Sequence, residues 1–424
     1  MTNQPTNTAL PKLRFPEFRD EPGWPEATLA ESLYEHRLKS DGKSEVHSVS
    51  VHKGVINQVE HLGRSFSAAD TSKYSLVKPF DIIYTKSPTG DFPYGIVKQN
   101  LTGKNVIVSP LYGVFKPTNK YVGNLIHAYF EEPSRTNNYL VSLVQKGAKN
   151  TIQISNDRFL SKEIYLPANE KEQQKIAATL SSLDDLLTAQ TALLTALQAH
   201  KRGLLQALFP AEGETVPKLR FPEFQDAAEW EEKTLIELAS FRRGSFPQPY
   251  GLPEWYDEIN GMPFIQVFDV DDNFRLKSKT KNKISKLAAK QSVFIPKETV
   301  IVTLQGSIGK VAITQYDAYV DRTLLLFERF SIPMEKIFFA YVLFLLFEIE
   351  KEAAPGGIIK TITKEVLSDF TLSIPSIEEQ QKIADCLSSL DNRITAQARQ
   401  LDALKLHKKG LMQALFPAAA EPTA

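Results

Sequence analysis

Residues 172–210 read EQQKIAATLSSLDDLLTAQTALLTALQAHKRGLLQALFP, and residues 379–417 read EQQKIADCLSSLDNRITAQARQLDALKLHKKGLMQALFP. About two-thirds of the aligned positions are identical. Neither block holds a proline before its closing Phe-Pro, so each predicts one long helix, Glu172 to Phe209 and Glu379 to Phe416. Apolar residues in the first fall at Ile176, Leu180, Leu183, Leu187, Leu194, Leu197, Leu204 and Leu208, in steps of four and three with gaps at Gln190 and Lys201. The second repeats the register at Ile383, Leu387, Leu390, Ile394, Leu401, Leu404, Leu411 and Leu415, with Gln397 and Lys408 in the gaps. A stripe sustained over about five heptads is a coiled-coil signature, and polar residues within it fix register. Two such helices related by duplication pair naturally as an antiparallel coiled coil. The other reading has each stripe packing only on its own domain. At about 1.5 Å per residue, each helix reaches on the order of 55 to 60 Å.

Outward from these blocks the repetition continues. Pro11-Lys-Leu-Arg-Phe-Pro-Glu-Phe18 recurs unchanged as Pro217-Lys-Leu-Arg-Phe-Pro-Glu-Phe224, followed by Trp24 and Trp230 respectively. The period is roughly half the chain, far longer than the roughly 20 to 50 residues of a solenoid unit. It marks a duplicated domain with an internal pseudo-twofold. Between the matching blocks, Pro25 to Leu166 and Glu231 to Ile374 show almost no similarity. The chain therefore divides into a repeated segment 1–24, a variable domain 25–168, a helix segment 169–210, a repeated linker 211–230, a second variable domain 231–376, a second helix segment 377–417 and a tail 418–424.

Both variable domains read as mixed α/β, giving an α/β (α+β) fold class of two globular domains on two long helices. The first has extended runs at Val77 to Thr85 and Val106 to Phe115. The second has them at Phe264 to Val270, Thr299 to Leu304, Val311 to Thr314 and Thr323 to Phe327. Ile337 to Phe347 is too short for a membrane span and reads as a buried aromatic helix. A chain of 424 residues with 42% apolar content can bury more than one core. Its 50 basic and 50 acidic residues cancel, so a nucleic-acid partner would have to be met by local basic surface. The only cysteine, Cys386, allows no intrachain disulfide and suits a reducing cytoplasm. Met1 to Leu10 lacks the order of a signal peptide and reads as an unprocessed start.

No catalytic constellation emerges. There is no G-x-S-x-G elbow and no dinucleotide fingerprint, and Gln305-Gly-Ser-Ile-Gly-Lys310 lacks the spacing of a phosphate loop. His36, His47, His52 and His61 do not have zinc-ligand spacing, so no metal site is expected. What remains are groups suited to DNA. Lys146-Gly-Ala-Lys149 and Pro355-Gly-Gly-Ile-Ile-Lys360-Thr361 offer glycine loops with donors for a phosphate, or alternatively tight turns with solvated lysines. Lys277, Lys279, Lys281 and Lys283 alternate, and would share one face if extended. Arg242, Arg243, Gln305 and Lys310 are candidates for base edges, and Lys86 completes the set.

Taken together, E-Q-Q-K-I-A followed by S-S-L-D and leucine heptads, the KLRFPEF-x-Trp segments, and two dissimilar inserts in a repeated frame resemble the specificity subunits of type I restriction-modification enzymes. That resemblance implies a prokaryotic, cytoplasmic, non-catalytic reader of double-stranded DNA. Each variable region would be a target recognition domain for one half of a split, asymmetric site, and the helices would form the spacer and dock two methyltransferase subunits. It places S-adenosylmethionine on those methyltransferases, and ATP with Mg on accompanying restriction/translocase subunits, leaving no cofactor on this chain. The chain also lacks the Asp/Asn-Pro-Pro-Tyr/Phe motif of an amino-methyltransferase. The competing reading is a coiled-coil scaffold presenting two α/β domains to other proteins.

Overall fold

The repeated blocks form two helices, Glu170–Leu208 and Ile377–Leu415, of 39 residues each. Acidic side chains in both first turns, Glu170 and Glu172, then Glu378 and Glu379, favour the positive end of the helix dipole. Every stripe position, including Gln190, Lys201, Gln397 and Lys408, is buried or half-buried. The structure, a computed structural model, describes residues 7–64, 67–68, 70–146, 152–211, 213–353, 367–368 and 370–417.

The chain forms two units, residues 1–191 with 400–424, and residues 192–399. Each unit thus takes the start of one long helix and the end of the other.

In the first unit, Trp24–Thr28 lies between Thr8–Ala9 and Glu163–Tyr165 in an antiparallel sheet. A capping box between Thr28 and Glu31 then starts a short helix, Leu29–Ser32. The main sheet has the order Leu33–Glu35, Gly113–Pro117, Ile82–Tyr84, Val97–Gln99, all antiparallel. Its core joins Trp24, Tyr84, Phe115 and Phe159 to Ile176 and Leu180 of one long helix and Met412 and Leu415 of the other. Leu13 N donates to Ala414 O at 2.9 Å, and its neighbour Arg14 pairs with Glu172 at 2.7 Å. Further along, Lys408 Nζ meets Asp184 at 2.5 Å, so the two helical stretches of this unit run antiparallel.

The second unit repeats the plan. Glu231–Thr234 pairs with Thr371–Ile374, a Thr234/Glu237 capping box starts Leu235–Leu238, and the main sheet has the order Ala239–Arg243, Leu324–Phe330, Val300–Thr303, Val311–Ile313. Leu219 N donates to Ala207 O at 2.8 Å, Arg220 pairs with Glu379 at 2.5 Å, and Lys201 with Asp391 at 2.6 Å. A second four-stranded sheet, Asn282–Ile284, Met262–Ile265, Ala318–Val320, Val293–Ile295, is built onto this unit. The helix Lys336–Ala353 buries Phe338, Phe339, Tyr341 and Leu343 in the core. Among the described residues, no helix is long and apolar enough to cross a membrane.

The two variable regions, dissimilar in sequence, therefore share a sheet order. The shared sequence also runs further than Trp24 and Trp230: Thr28-Leu29-x-Glu31 matches Thr234-Leu235-x-Glu237. Several expected runs are broken. Val77 to Thr85 is two strands, Ser75–Val77 and Ile82–Tyr84, because Asp81 accepts Lys78 N at 2.7 Å and Phe80 turns at φ 71°. Val106 to Phe115 likewise divides into Val106–Val108 and Gly113–Pro117, and Phe264 to Val270 ends in a 3-10 turn, Val267–Asp269.

Candidate nucleic-acid interface

The repeated motifs hold the frame rather than reach outward. Arg14 forks onto Glu172, with Nε to Oε1 and Nη2 to Oε2 both at 2.7 Å, and Arg220 does the same to Glu379 at 2.9 and 2.5 Å. Both carboxylates are 1% exposed. Each guanidinium pKa is raised, first by the carboxylate hydrogen bond and against desolvation. The following glutamine is equally committed. Gln173 Nε2 donates to Pro167 O at 2.7 Å while its Oε1 accepts from Asn119. Gln380 Nε2 donates to Pro375 O and its Oε1 accepts Glu335 N, both at 3.0 Å. Asn119 and Glu335 each precede a helix that packs in the core, so E-Q-Q ties long helix, terminal strand and core helix together.

Of the DNA-contact candidates, those in the glycine loops fall mostly outside the described residues. Lys149, Lys360 and Thr361 lie there, as does the side chain of Lys146, whose backbone pairs with Ile152. Arg242 and Arg243 end the edge strand Ala239–Arg243 and are exposed.

The lysine run does not form one extended face. Its chain bends at residues 278–279, and only Asn282–Ile284 is a strand, placing Lys283 opposite Pro263. The cause is Asp269, fully buried, which draws the chain around itself. Its carbonyl accepts Lys277 N, its Oδ1 accepts Lys281 N, both at 2.8 Å, and its Oδ2 accepts Gln266 N at 2.9 Å. Burial raises the Asp269 pKa, against those backbone bonds and the Lys277 and Lys281 charges. Lys277, Lys279 and Lys281 are exposed, and Lys281 Nζ sits 4.9 Å from the Phe268 ring centre. The result is a basic bend, able to meet phosphates at a point rather than along a line.

The remaining candidates, Lys86, Gln305 and Lys310, lie in or at the end of two hairpin loops that hold equivalent places in the two units. Sheet registers match Ile82/Gln99, Ile83/Lys98 and Tyr84/Val97 with Val300/Ile313, Ile301/Ala312 and Val302/Val311. One step further stand Thr85 and Thr303, both buried. Thr85 N donates to Ile96 O and Thr85 Oγ1 accepts Ile96 N, each at 3.1 Å. Thr303 N donates to Lys310 O at 2.9 Å and Thr303 Oγ1 accepts Lys310 N at 3.0 Å. Gly95 at φ 101° and Gly309 at φ 84° precede those partners, and a Cβ on either would come within 2.7 Å of neighbouring atoms. Lys86 opens the first loop half-buried, its ammonium pKa lowered by burial with Glu35 acting against it. Gln305 is exposed in the second, and Lys310 at its end pairs with Asp272 at 2.6 Å. Sequence comparison missed this because the loops differ in length; only Gly95-Ile-Val97 against Gly309-Lys-Val311 hints at it.

His36 Nε2 lies 2.8 Å from Asp81. Among the described residues, no group of His, Cys, Asp and Glu is arranged to hold a metal ion.

The family model for the type I restriction modification DNA specificity domain matches residues 65–199 and again 227–406. The chain is 25% identical over 280 residues to the type I restriction enzyme MjaVIII specificity subunit of Methanocaldococcus jannaschii, covering 61% of this chain and 63% of that one. It is 25% identical over 268 residues to the EcoR124I/EcoR124II specificity subunit of Escherichia coli, covering 60% and 61%. The chain thus spans between 41% and 63% of the length of these and two further curated relatives that it matches. Its fold is that of the crystal structure of the type I restriction-modification S subunit from M. genitalium, with a TM-score of 0.59 at 16% identity over 97% of this chain and all of that one. With a specificity domain matched in each half of a duplicated frame, this chain belongs to the family of type I restriction-modification specificity subunits.

Proposed function

We propose that the chain selects the DNA sequence on which a type I restriction-modification complex acts, each unit reading one half of a bipartite, asymmetric site. The long helices set the spacer between the half-sites and dock two methyltransferase subunits, which bring S-adenosylmethionine; restriction/translocase subunits with ATP and Mg complete the complex. This chain contributes recognition and geometry and does no chemistry. The observation that carries the reading is a repeated frame supporting two sheets of one order and unrelated sequence. Such a frame is what a reader of two different half-sites needs, since a dimer of identical units would read a palindrome. Charge fits the division of labour. A neutral chain has little general pull on phosphate, so firm binding needs the partner subunits, with local groups such as the Lys277–Lys281 bend positioning the duplex.

The test is selection from a library of randomised duplexes by the full chain assembled with its methyltransferase subunits, followed by sequencing of bound DNA. Enrichment of two fixed half-sites at a constant spacing is the expected result. Binding with no sequence preference at low and moderate salt would leave the chain a scaffold.

A further inference from the structure

We infer that the hairpin loops closed by Thr85 and Thr303 are the base-reading elements of the two units: Lys86–Tyr94 for one half-site and Leu304–Ile308 for the other. This rests on the reading of the chain as a DNA specificity subunit and goes further by naming where sequence is read.

Both loops join the same two strands of the main sheet, an inner one and its edge neighbour, at the same register, through the same threonine lock and a glycine in the left-handed region. The register, the threonine lock and the glycine are shared, and the residues between them are not. One loop has nine residues and the other five, with no common sequence. A shared socket with exchanged contents is what two readers of different bases require.

Base discrimination needs donors and acceptors held in place before the duplex arrives, because each side chain ordered on binding subtracts from affinity. In the first loop, Thr89 and Phe92 exchange backbone hydrogen bonds at 3.0 Å, Tyr84 Oη donates to Tyr94 O at 2.8 Å, and Asn137 Nδ2 donates to Asp91 O at 3.0 Å. Phe92 is buried beneath, while Ser87 and Thr89 are exposed above it. In the second, Thr303 Oγ1 hydrogen-bonds Ser307 O and Gly309 N donates to Thr303 O at 2.9 Å, presenting Gln305 and Ser307 to solvent. A major groove admits a two-stranded ribbon, and the amide of a glutamine can pair with adenine there.

The lysine bend at residues 277–281 has no counterpart in sequence in the first unit and offers ammonium groups, which suit phosphates at any sequence. The loops instead expose hydroxyl and amide groups. Lys86 adds a partly desolvated ammonium, a donor that gains by meeting a base acceptor.

The experiment is the duplex selection just described, run on Gln305→Ala and on a chain with residues 86–94 replaced by a Gly/Ser loop; Lys86→Ala serves if the replacement fails to fold. For Gln305→Ala, discrimination falls about tenfold at one or two positions of a single half-site, the other half-site and the spacer being unchanged. The first-loop variants do the same to the opposite half-site. Unaltered preferences at both half-sites in a folded chain overturn the inference while leaving the chain a DNA reader. Uniform weakening across all sequences also overturns it, by assigning the loops to phosphate. If the unaltered chain selects no bipartite sequence, the underlying function fails first.

Discussion

Lys408 sits at a core position of its helix stripe and spans two acids, meeting Asp184 Oδ1 at 2.5 Å and Glu131 Oε2 at 2.7 Å. Half a chain away, Lys201 meets Asp391 at 2.6 Å, the same pair in the other unit. The lysine interruptions of the heptad stripe are thus ion pairs between helical stretches, and they select one axial alignment over its neighbours.

The two lysines differ in what their loss leaves behind. Without Lys408, the half-buried Glu131 keeps Lys98 and His127, each at 3.2 Å, but Asp184 loses its ion pair. Without Lys201, Asp391 keeps the Tyr341 hydroxyl as a donor, while the cation over the Tyr341 and Phe274 rings is lost. Lys408→Met is expected to cost about 1–3 kcal/mol in urea unfolding, and Lys201→Met less than half as much. Equal losses would contradict the assignment of Lys408 to a two-acid site.

Acid should act on the same cluster. Burial opposes ionisation of Glu131, yet the His127 hydrogen bond and the charges of Lys98 and Lys408 hold its carboxyl well below the ordinary range. A carboxyl with a depressed pKa in the folded state adds stability above its unfolded pKa and loses it as pH falls toward the folded value. Glu131→Gln should therefore be less stable than the unaltered chain near neutral pH, with the gap closing as pH drops below about 4.5. Melting temperatures measured across that range check it; a gap constant in pH refutes the ionic origin.

Much of the frame was legible because helices write themselves as periodicity. The stripe from Ile176 to Leu208 could be read residue by residue, and so could the duplication. The meaning of E-Q-Q could not be, since Glu172 and Gln173 act on Arg14, Pro167 and Asn119, partners that only the fold brings near. The lysine run shows the opposite failure. Alternation suggests a strand, and a single buried residue, Asp269, outweighs it, its carbonyl capturing Lys277 N and its carboxylate Lys281 N. The paired loops stayed hidden because insertion of four residues erases an alignment while leaving the threonine lock intact.

The two repeated tryptophans are alike in packing and unlike in bonding. Trp24 meets Phe416, and Trp230 meets Phe209, edge-on at 6.1 Å in both units. Trp24 Nε1 donates to Glu172 at 3.2 Å, whereas Trp230 Nε1, also buried, finds no acceptor among the described residues. A phenylalanine removes a hydrogen bond to a buried carboxylate in the first case and an unsatisfied donor in the second. Trp24→Phe is expected to be the more destabilising by about 1 kcal/mol, seen as the lower denaturation midpoint of the pair. A reversed order would mean that ring volume, not bonding, dominates at these sites.

Helix length offers a direct measure of the proposed spacer. Removing residues 187–193 and 394–400 together deletes one heptad from each helix, preserves both stripes and leaves Asp184, Lys201, Asp391 and Lys408 in place. Seven residues correspond to about 10 Å of helix, or about three base pairs of duplex. Because the loops on the sheets are untouched, both half-sites should keep their sequences while the preferred spacer shortens by about that amount. A removal of a heptad from one helix alone shifts one stripe against the other and should weaken assembly instead. Duplex selection with each deletion distinguishes the cases: a spacer unchanged in the matched deletion, with the chain folded and DNA still selected, would falsify the role of the helices as a ruler.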